Sequence, residues 1–490
     1  MSIKLYNTLH NRKEEFVPVE EGKVRMYVCG PTTYNFIHLG NARPIVAFDV
    51  IRRYFAYRGY EVTYVQNFTD VDDKIINRSH EEDMDPKALA EKYIDAYYED
   101  AGRLGVQKAS VHPRVTEHMQ DIIDMVQQII DNGFGYVVDG DVYFEVRKFA
   151  PYGKLSGRDL DEMQSGARIA VGEQKRDPLD FALWKAAKPG EPYWESPWGK
   201  GRPGWHIECS AMSTKYLGKT FDIHGGGADL IFPHHENEIA QSEACNGCES
   251  VHYWMHNGFI TINSEKMSKS LGNFFLLREI LDKFDGPVVR FYLMSTHYRS
   301  PLDFDDNKLA AAEKSLGRIH NTFRSVEQKI KTLSANENNQ NNSNKDKGTG
   351  KQLAELCEKA RLKVIDAMDD DFNTSLALAA LFDVCKEVNT LINAKDFAAD
   401  DDAAEIIEGL KTVLDFFKEM NEIFDVIVPD ANQEEQNDGL AEELLNIMLK
   451  LRTNARKNKD WATADYIRDE LKAVGIEIKD TPDGPVWEKI

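Results

Sequence analysis

Cysteine is scarce in this 490-residue sequence, which contains six in all. Six thiols in so long a chain do not form the dense disulfide framework of small secreted domains. The sequence also lacks any apolar run near the ~20 residues of a membrane span, and its start, MSIKLYNTLHNRKEEF, lacks the apolar core of a signal peptide. We therefore expect a cytoplasmic protein without a membrane partner, in which the cysteines are thiols or metal ligands.

Positive charge is in short supply as well. The chain contains 60 Lys and Arg residues against 82 Asp and Glu residues, a net charge of −22. Because phosphate contacts need Lys and Arg, this balance argues against non-specific nucleic-acid binding, although it does not exclude a local basic surface. One stretch, KLRTNARKNK at 450–459, carries basic residues without an acid and is followed by Trp461. It indicates either an RNA-binding face with a ring for base stacking or a solvated helix face.

Strand and helix patterns alternate over roughly the first 300 residues. KVRMYVC (23–29) has the period-two alternation of a strand, residues 41–60 carry a helical apolar stripe, and EVTYVQNF (61–68) reads as the next strand. This βαβ unit predicts a parallel sheet with ligands at the carboxyl ends of its strands. A second such half runs from TFDIHGGGADL, which starts at 220, to VHYWMHNGFITI, which ends at 262.

The remaining segments suggest further units. About 100 residues lie between the two halves, too many for a simple crossover, and they predict an inserted subdomain. Beyond Phe304 helical periodicity predominates. The polar run at 334–351 predicts a flexible loop between helices, and PDANQEEQNDG (429–439) predicts a second break before a C-terminal unit.

The first candidate site is CGPTTYNFIHLGNARP, where a strand leads into a helix. His38, Gly40 and Asn41 lie where backbone N–H groups and the helix dipole favour an anion. Gly40 leaves room for a bulky ligand. The simpler interpretation is a turn in which Asn caps the helix, and this motif alone does not decide between the two.

The second candidate site is EKMSKSLGN, with Lys266 and Lys269 three positions apart between serine hydroxyls. Two ammonium groups on a loop could neutralise the charge that develops on a polyphosphate. An isolated pair of this kind is usually an exposed turn. A coincidence of this loop with the earlier HLGN turn in one chain is much harder to attribute to chance.

The third candidate site is PHHENE. Its His234 and Glu238 lie four positions apart on one helix face, and His235 with Glu238 is the close rival pair. Neither pair completes a zinc site, for which Cys29 and Cys209 are suitably placed, although ordinary buried thiols are the simpler interpretation. Two further cysteines, Cys245 and Cys248, form the motif CNGC. No second cysteine pair lies near them, so this motif indicates a turn and not a metal site.

HLGN and KMSKS, in this order, resemble the paired signatures of class I aminoacyl-tRNA synthetases, in which both loops close on ATP. VCGPTTYNFIHLGNARP, NFTDVDDKI, GRPGWHIECSAM, DIHGGGADLIFPHHENEIAQSEA and AMDDDFNTSLAL are similar to the cysteinyl-tRNA synthetase family in particular. These stretches run from residue 28 to about residue 378. One position departs from the pattern, because Asn41 stands where the family's first signature usually ends in His; an amide still donates to a phosphate or ribose oxygen.

The resemblance implies an α/β fold with a Rossmann-like parallel-sheet catalytic domain. We expect this domain at residues 1–310, with an inserted connective subdomain at about 113–200. An α-helical, tRNA-binding bundle is expected at 311–428, and a small anticodon-binding unit at 440–490.

The resemblance also implies an adenylation reaction, in which an amino-acid carboxylate attacks the α-phosphate of ATP, bound with Mg²⁺. Lys266 and Lys269 would hold the β- and γ-phosphates, and His38 and Asn41 would stabilise the transferring group from the other side. Gly40 would belong to the ATP site. Asp229, which follows three glycines, would accept hydrogen bonds from the ribose hydroxyls and would still be able to cap a helix.

Matched to the family residue by residue, Cys29, Cys209, His234 and Glu238 coordinate one zinc ion, and this match favours His234 over His235. Zinc would accept the thiolate of substrate cysteine, whereas a serine hydroxyl is neither easily ionised nor a preferred ligand. Selection by a metal makes an editing domain unnecessary. Thr69 and Trp205 are expected in the wall of the cysteine pocket.

The expected activity is therefore that of a cysteine–tRNA ligase that uses ATP, L-cysteine and tRNA(Cys), and we expect a monomer. A related ligase that joins activated cysteine to an amino-sugar would share the catalytic motifs but lack a long C-terminal half. A plain nucleotidyltransferase would lack the zinc ligands, and a non-enzymatic zinc-dependent RNA-binding module would have no use for two loops that close on ATP.

Overall fold

The computed structural model describes residues 2–160, 174–262, 265–266, 274–336, 348–394, 397, 403–429, 431–481 and 484–489. The chain forms two compact units, Met1–Ile427 and Val428–Ile490. Within the described residues, no helix combines the length and the hydropathy needed to cross a membrane.

The elements are numbered in chain order. The strands are β1 Lys4–Asn7, β2 Arg12–Glu15, β3 Lys23–Val28, β4 Glu61–Gln66, β5 Gly135–Val138, β6 Asp141–Phe144, β7 Phe181–Ala186, β8 Gly201–Pro203, β9 Phe221–Gly227, β10 Val251–Asn257, β11 Ile260–Ile262, β12 Glu265–Lys266, β13 Leu302–Asp303, β14 Ile476–Thr481 and β15 Gly484–Lys489. The helices are α1 Leu39–Tyr57, α2 Asp73–Glu82, α3 Pro86–Arg103, α4 Met119–Asp131, α5 Ile207–Leu217, α6 Glu236–Asn246, α7 Leu277–Leu281, α8 Gly286–Met294, α9 Asp306–Asn336, α10 Thr349–Asp369, α11 Thr374–Ile392, α12 Ala403–Phe424, α13 Ala431–Lys457 and α14 Trp461–Ala473.

A parallel sheet with the strand order β10-β9-β3-β4 lies at the centre of the first unit. Its residues are largely buried because helices and loops cover both faces, as parallel sheets require. The two predicted α/β halves supply β3 with β4 and β9 with β10. The predicted parallel sheet is therefore confirmed, and its carboxyl edge is the expected place for a ligand.

Helix α1 leads away from that edge, between β3 and β4. His38 is its N-cap: the His38 ring accepts a hydrogen bond from the Asn41 N–H, and the Asn41 side chain accepts one from the His38 N–H. Pro44 is the sixth residue of this helix, so its ring leaves the Gly40 carbonyl without its usual helical N–H donor. Gly59, with φ of 87°, lies just beyond the end of the helix and adopts the left-handed conformation without steric cost.

An antiparallel sheet of strands β5, β6, β7 and β8 lies in the chain between the two halves of the parallel sheet. The rings of Phe144 and Phe181 stack with centroids 5.0 Å apart, and Leu183 and Trp184 are fully buried beside them. Strands β5 to β7 fall within the segment expected to be inserted, at about 113–200, and β8 lies just beyond its end.

Helices α9 to α12 pack on one another at the end of the first unit. Arg290 of α8 is fully buried and ties this region to α1, because it donates to the Asp49 carboxylate at 2.7 Å and to the Phe424 carbonyl at 2.8 Å. A buried carboxylate paired with a guanidinium is costly to break. Arg290 thereby links α12 of the bundle to α1, the helix that starts at the HLGN turn.

The predicted loop at 334–351 is flanked by helices that end at Asn336 and begin at Thr349, and residues 337–347 lie outside the described residues. The loop predicted at 429–439 is wrong, because α13 is helical from Ala431 onward, whereas the C-terminal unit predicted after it is present and begins at Val428. The segment 429–439 is polar, but it contains Ala, Gln and Glu, which are good helix formers, and its proline precedes the helix.

Candidate active site and metal centre

A cavity of about 430 Å³ opens at the carboxyl edge of the parallel sheet. The strand ends contribute Cys29 after β3, Gln66 of β4, Gly226 of β9 and Asn257 of β10. Every strand of the sheet thus reaches one cavity, which is where the βαβ pattern predicts a ligand.

The HLGN turn forms one wall of this cavity through His38, Gly40 and Asn41. The His38 and Asn41 side chains each bond the other residue's backbone, so both are held in place at the N-terminus of α1. The predicted cap is wrong in its residue, because His38 is the N-cap and Asn41 completes the capping box as the third helical residue; both residues also line the cavity. The positive end of the helix dipole favours an anion at this wall.

The chain on either side of the KMSKS loop is fixed beside the cavity. Lys266 lies in β12, paired with Thr261 of β11, while Lys269 lies outside the described residues. After the loop, Phe275 and Leu277 form backbone hydrogen bonds with Leu39 and Ile37, respectively, at 3.1 and 2.9 Å. The segment that follows the lysine loop therefore runs directly alongside the HLGN turn.

Asp229 also lines the cavity, just after the triple glycine. Its Oδ1 atom would lie 2.5 Å from a Cβ atom on Gly227, and a Cβ atom on Gly225 would lie 2.3 Å from the Phe48 ring. Side chains at these positions would clash. Glycines therefore allow this strand end to pack on α1 and to present Asp229 to the cavity.

The two residues expected in the pocket wall differ in their positions. Trp205 lines the cavity, is 39% exposed, and has its ring centroid 4.4 Å from that of His234. Thr69 is buried, and its hydroxyl donates to Glu208 at 2.8 Å. Thr69 therefore lies behind the lining residues rather than among them.

The structure brings the four predicted metal ligands into one cluster. The ligand atoms of Cys29, Cys209, His234 and Glu238 all lie within 4.8 Å of one another. The two sulfur atoms are 3.8 Å apart, and His234 Nε2 is 2.9 Å from Glu238 Oε1. Two thiols, an imidazole and a carboxyl group form a donor set typical of tetrahedral zinc.

A second, overlapping cluster was not predicted. His224 and His235 join Cys29 and Glu238 within the same 4.8 Å limit, and their Nε2 atoms lie 3.4 and 3.3 Å from the Cys29 sulfur. In the sequence, His235 was the alternative to His234 as the histidine paired with Glu238. His224 had only one signal, its place just before the triple glycine on a strand that pairs beside Cys29.

Burial controls protonation in the cluster. It raises the pKa of the Cys29 thiol and of the Glu238 carboxyl group well above their usual values. A hydrogen bond from the Cys29 thiol lowers the pKa of Cys209 to about 7. Among the described residues, the ion-pair partners of Glu238 are histidines, so no Lys or Arg offsets the cost of ionising these groups. A bound cation would offset it.

Further histidines surround the two clusters. His206 Nδ1 lies 2.9 Å from His234 Nδ1, and His235 Nδ1 lies 2.8 Å from His256 Nε2. Contacts of this kind orient the ring of a metal ligand. The CNGC pair is separate: Cys245 ends α6 half-buried, Gly247 caps that helix, and Cys248 is exposed.

The basic stretch at 450–459 lies in the second unit, at the end of α13 and the start of the turn to α14. Lys450, Arg456 and Lys457 are exposed, and so is Trp461, at 57%. An exposed ring and several exposed basic side chains therefore lie near one another along the chain of this unit.

Three family models match the chain. The class I (C) tRNA synthetase catalytic domain matches residues 15–314, the DALR domain matches 363–427, and the cysteinyl-tRNA ligase anticodon binding domain matches 438–487.

Curated proteins and solved structures are similar as well. The chain is 57% identical to the cysteine–tRNA ligase of Pelotomaculum thermopropionicum, over 99% of this chain and 100% of that protein. It is 51% identical to that of Thermococcus onnurineus over 100% of both. Mycobacterium tuberculosis methionyl-tRNA synthetase, solved with methionyl-adenylate, has a TM-score of 0.63 at 15% identity, covering 82% of this chain and 92% of that one, a likeness that shows the fold.

Proposed function

This chain belongs to the cysteine–tRNA ligase family, and we propose that the cavity at the carboxyl edge of its parallel sheet is where cysteine is activated with ATP. The observation that supports this most directly is the position of Cys29. It lines the same cavity as the HLGN turn and belongs to the cluster of metal-ligating side chains. Amino-acid selection and adenylation can therefore take place in one space.

In the activation step, the carboxylate of cysteine attacks the α-phosphate in line, and pyrophosphate leaves. His38 and Asn41 stabilise the transferring group at the start of α1, and Gly40 admits the nucleotide. Lys266 and Lys269 hold the β- and γ-phosphates together with Mg²⁺. Asp229 accepts hydrogen bonds from the ribose, and the cysteinyl group of the adenylate then passes to the 3′-terminal adenosine of tRNA(Cys).

We further propose that Cys29, Cys209, His234 and Glu238 hold one zinc ion. When bound, zinc supplies a Lewis acid that accepts the substrate thiolate. His234 packs on Trp205, which lines the cavity, whereas His224 and His235 pack on Trp254, which is 2% exposed. The set that contains His234 therefore lies on the side that an amino acid can reach.

Trp205 and Thr69 have different proposed roles in the cysteine pocket. Trp205 forms the wall beside His234 and limits the size of the side chain that enters. Thr69 supports the pocket from behind through its hydrogen bond to Glu208, which precedes Cys209 in α5. Thr69 is thus a supporting residue, not a contact.

Binding of tRNA is assigned to the C-terminal regions. We propose a helical bundle at about 311–428 for the body of the tRNA and a unit at about 440–490 for the anticodon, in a monomeric cytoplasmic enzyme. An amino-sugar acceptor is not favoured, since residues 438–487 match an anticodon-binding model.

Binding of tRNA(Cys) should weaken steeply as salt rises, because only local basic groups of this acidic chain contact phosphates. Arg456→Ala and Lys457→Ala should each reduce the slope of log affinity against log salt by about 1. Equilibrium binding between low and moderate salt measures this slope. Lys87→Ala, which removes an exposed lysine of α3, is the control and should leave it unchanged. An isotherm that is insensitive to salt would contradict the assignment.

The overall activity is tested by transfer of labelled cysteine to total tRNA with ATP and Mg²⁺, run beside labelled serine. We expect charging with cysteine alone. AMP release with cysteine but without charged tRNA would retain the activation chemistry and point to a different acceptor. Charging with both amino acids would instead refute selection by a metal-bound thiolate.

A further inference from the structure

A loop of the segment between β6 and β7 contacts α6, which carries the proposed metal ligand Glu238 and begins two residues after His234. Glu236, the first residue of α6, is fully buried. Its carboxylate accepts backbone hydrogen bonds from Gly153 at 2.9 Å, Ser156 at 2.8 Å and Leu155 at 3.4 Å. Three N–H donors converge on one side chain, so the loop's backbone is shaped around this carboxylate.

The same loop makes further contacts on both sides of Glu236. The Tyr152 hydroxyl donates to Asn237, and Lys154 Nζ lies 2.7 Å from Glu243. On the other side, the Arg158 guanidinium stands 4.3 Å from the centre of the Phe232 ring, two residues before His234. We name residues 152–158 the brace loop. It holds the chain before, within and beyond the segment that contains His234 and Glu238.

The brace loop does this from the side away from the cluster. Successive residues of an α-helix are rotated by about 100°, so Glu236 points about 200° away from Glu238. His234 and Glu238 face Cys29 and Cys209, while Glu236 faces the brace loop. Since α6 is short, a shift of its first turn would move Glu238 relative to both thiols.

We propose that Glu236 is a positioning residue for the metal centre and that the brace loop, which contains none of the clustered ligand residues, sets the centre's affinity and geometry. The inference rests on the metal site proposed above. In Glu236→Gln, one acceptor oxygen becomes an NH₂ group that faces backbone N–H donors, so the loop loses its anchor. We expect about 10- to 100-fold weaker metal binding, the range typical when a partner of a ligand is removed.

The test is competition for zinc against a chromophoric chelator, together with absorption spectra of the Co²⁺-substituted full-length protein. Glu236→Gln and Arg158→Ala should both weaken zinc binding and alter the Co²⁺ spectrum, which reports ligand geometry. Glu236→Asp, which keeps both carboxylate oxygens, should restore part of the affinity. Arg158 is exposed, so its variant should fold even if a buried substitution does not.

Lys148→Ala is the matched control, because this exposed lysine lies in the same segment and pairs with Glu145 instead of α6. It should leave affinity and spectrum unchanged. If wild-type protein binds no metal, the proposed metal site fails. If wild-type protein binds one zinc ion and the folded Glu236→Gln and Arg158→Ala variants have the same zinc affinity and Co²⁺ spectrum, the positioning role of Glu236 and the brace loop is refuted. The proposed metal site is then retained.

Discussion

Replacing Cys209 with serine should reduce zinc from one ion per chain to background and remove most of the selectivity for cysteine. Cys209 is 3% exposed and its sulfur lies 3.8 Å from that of Cys29, so a hydroxyl there removes one of two thiolates from the donor set. Without the metal, cysteine and serine differ only in packing, which separates near-isosteres by about 100-fold or less. Metal analysis and cysteine- and serine-dependent pyrophosphate exchange measure both effects.

Cys245→Ser is the matched control, because this half-buried thiol at the end of α6 belongs to neither cluster. It should retain zinc and selectivity. His224→Gln distinguishes the two overlapping donor sets. Loss of zinc in His224→Gln together with full zinc in Cys209→Ser would replace the proposed set with the one that contains His224 and His235.

Sequence periodicity was sufficient for the part of the fold that forms the site. The strands at 23–28 and 61–66 follow from local alternation, and the helix between them follows from its apolar stripe and from Gly59 just beyond its end. Its start was predicted less well, because the cap is His38 and not Asn41. Each of these signals acts within a few residues, which is why a single sequence reveals them. The incorrect prediction of a loop at 429–439 also came from a local pattern. The polarity of this segment was given more weight than the helix propensity of its Ala, Gln and Glu residues.

Side chains that meet across the fold were harder to predict. The pairing of Arg290 with Asp49 joins positions 241 apart, and no local pattern indicates it. The cluster of Cys29 with Cys209 was predicted only through resemblance to a family, because the two positions are 180 apart. His224 joins them through strand register, and Thr69 turns toward Glu208 instead of the cavity; both depend on tertiary packing.

Replacing Lys269 with alanine should slow cysteine activation and leave zinc in place. An ammonium group that meets charge developing in the transition state contributes about 2–4 kcal/mol, which corresponds to about 30- to 1000-fold in rate. The loss should appear mainly in kcat of cysteine-dependent pyrophosphate exchange, because the interaction is strongest in the transition state. None of the four proposed metal ligands belongs to the KMSKS loop, so metal content should stay at the wild-type level.

Lys283→Ala is a suitable control for charge alone, since this lysine follows the same loop, is 64% exposed and pairs loosely with Asp306 at 3.8 Å. It should exchange pyrophosphate at the wild-type rate. Unchanged exchange in Lys269→Ala would refute the phosphate-binding role of the KMSKS loop. Loss of both exchange and zinc would mean that the loop supports the fold of the cavity, because a residue acting only on the triphosphate leaves the metal centre intact.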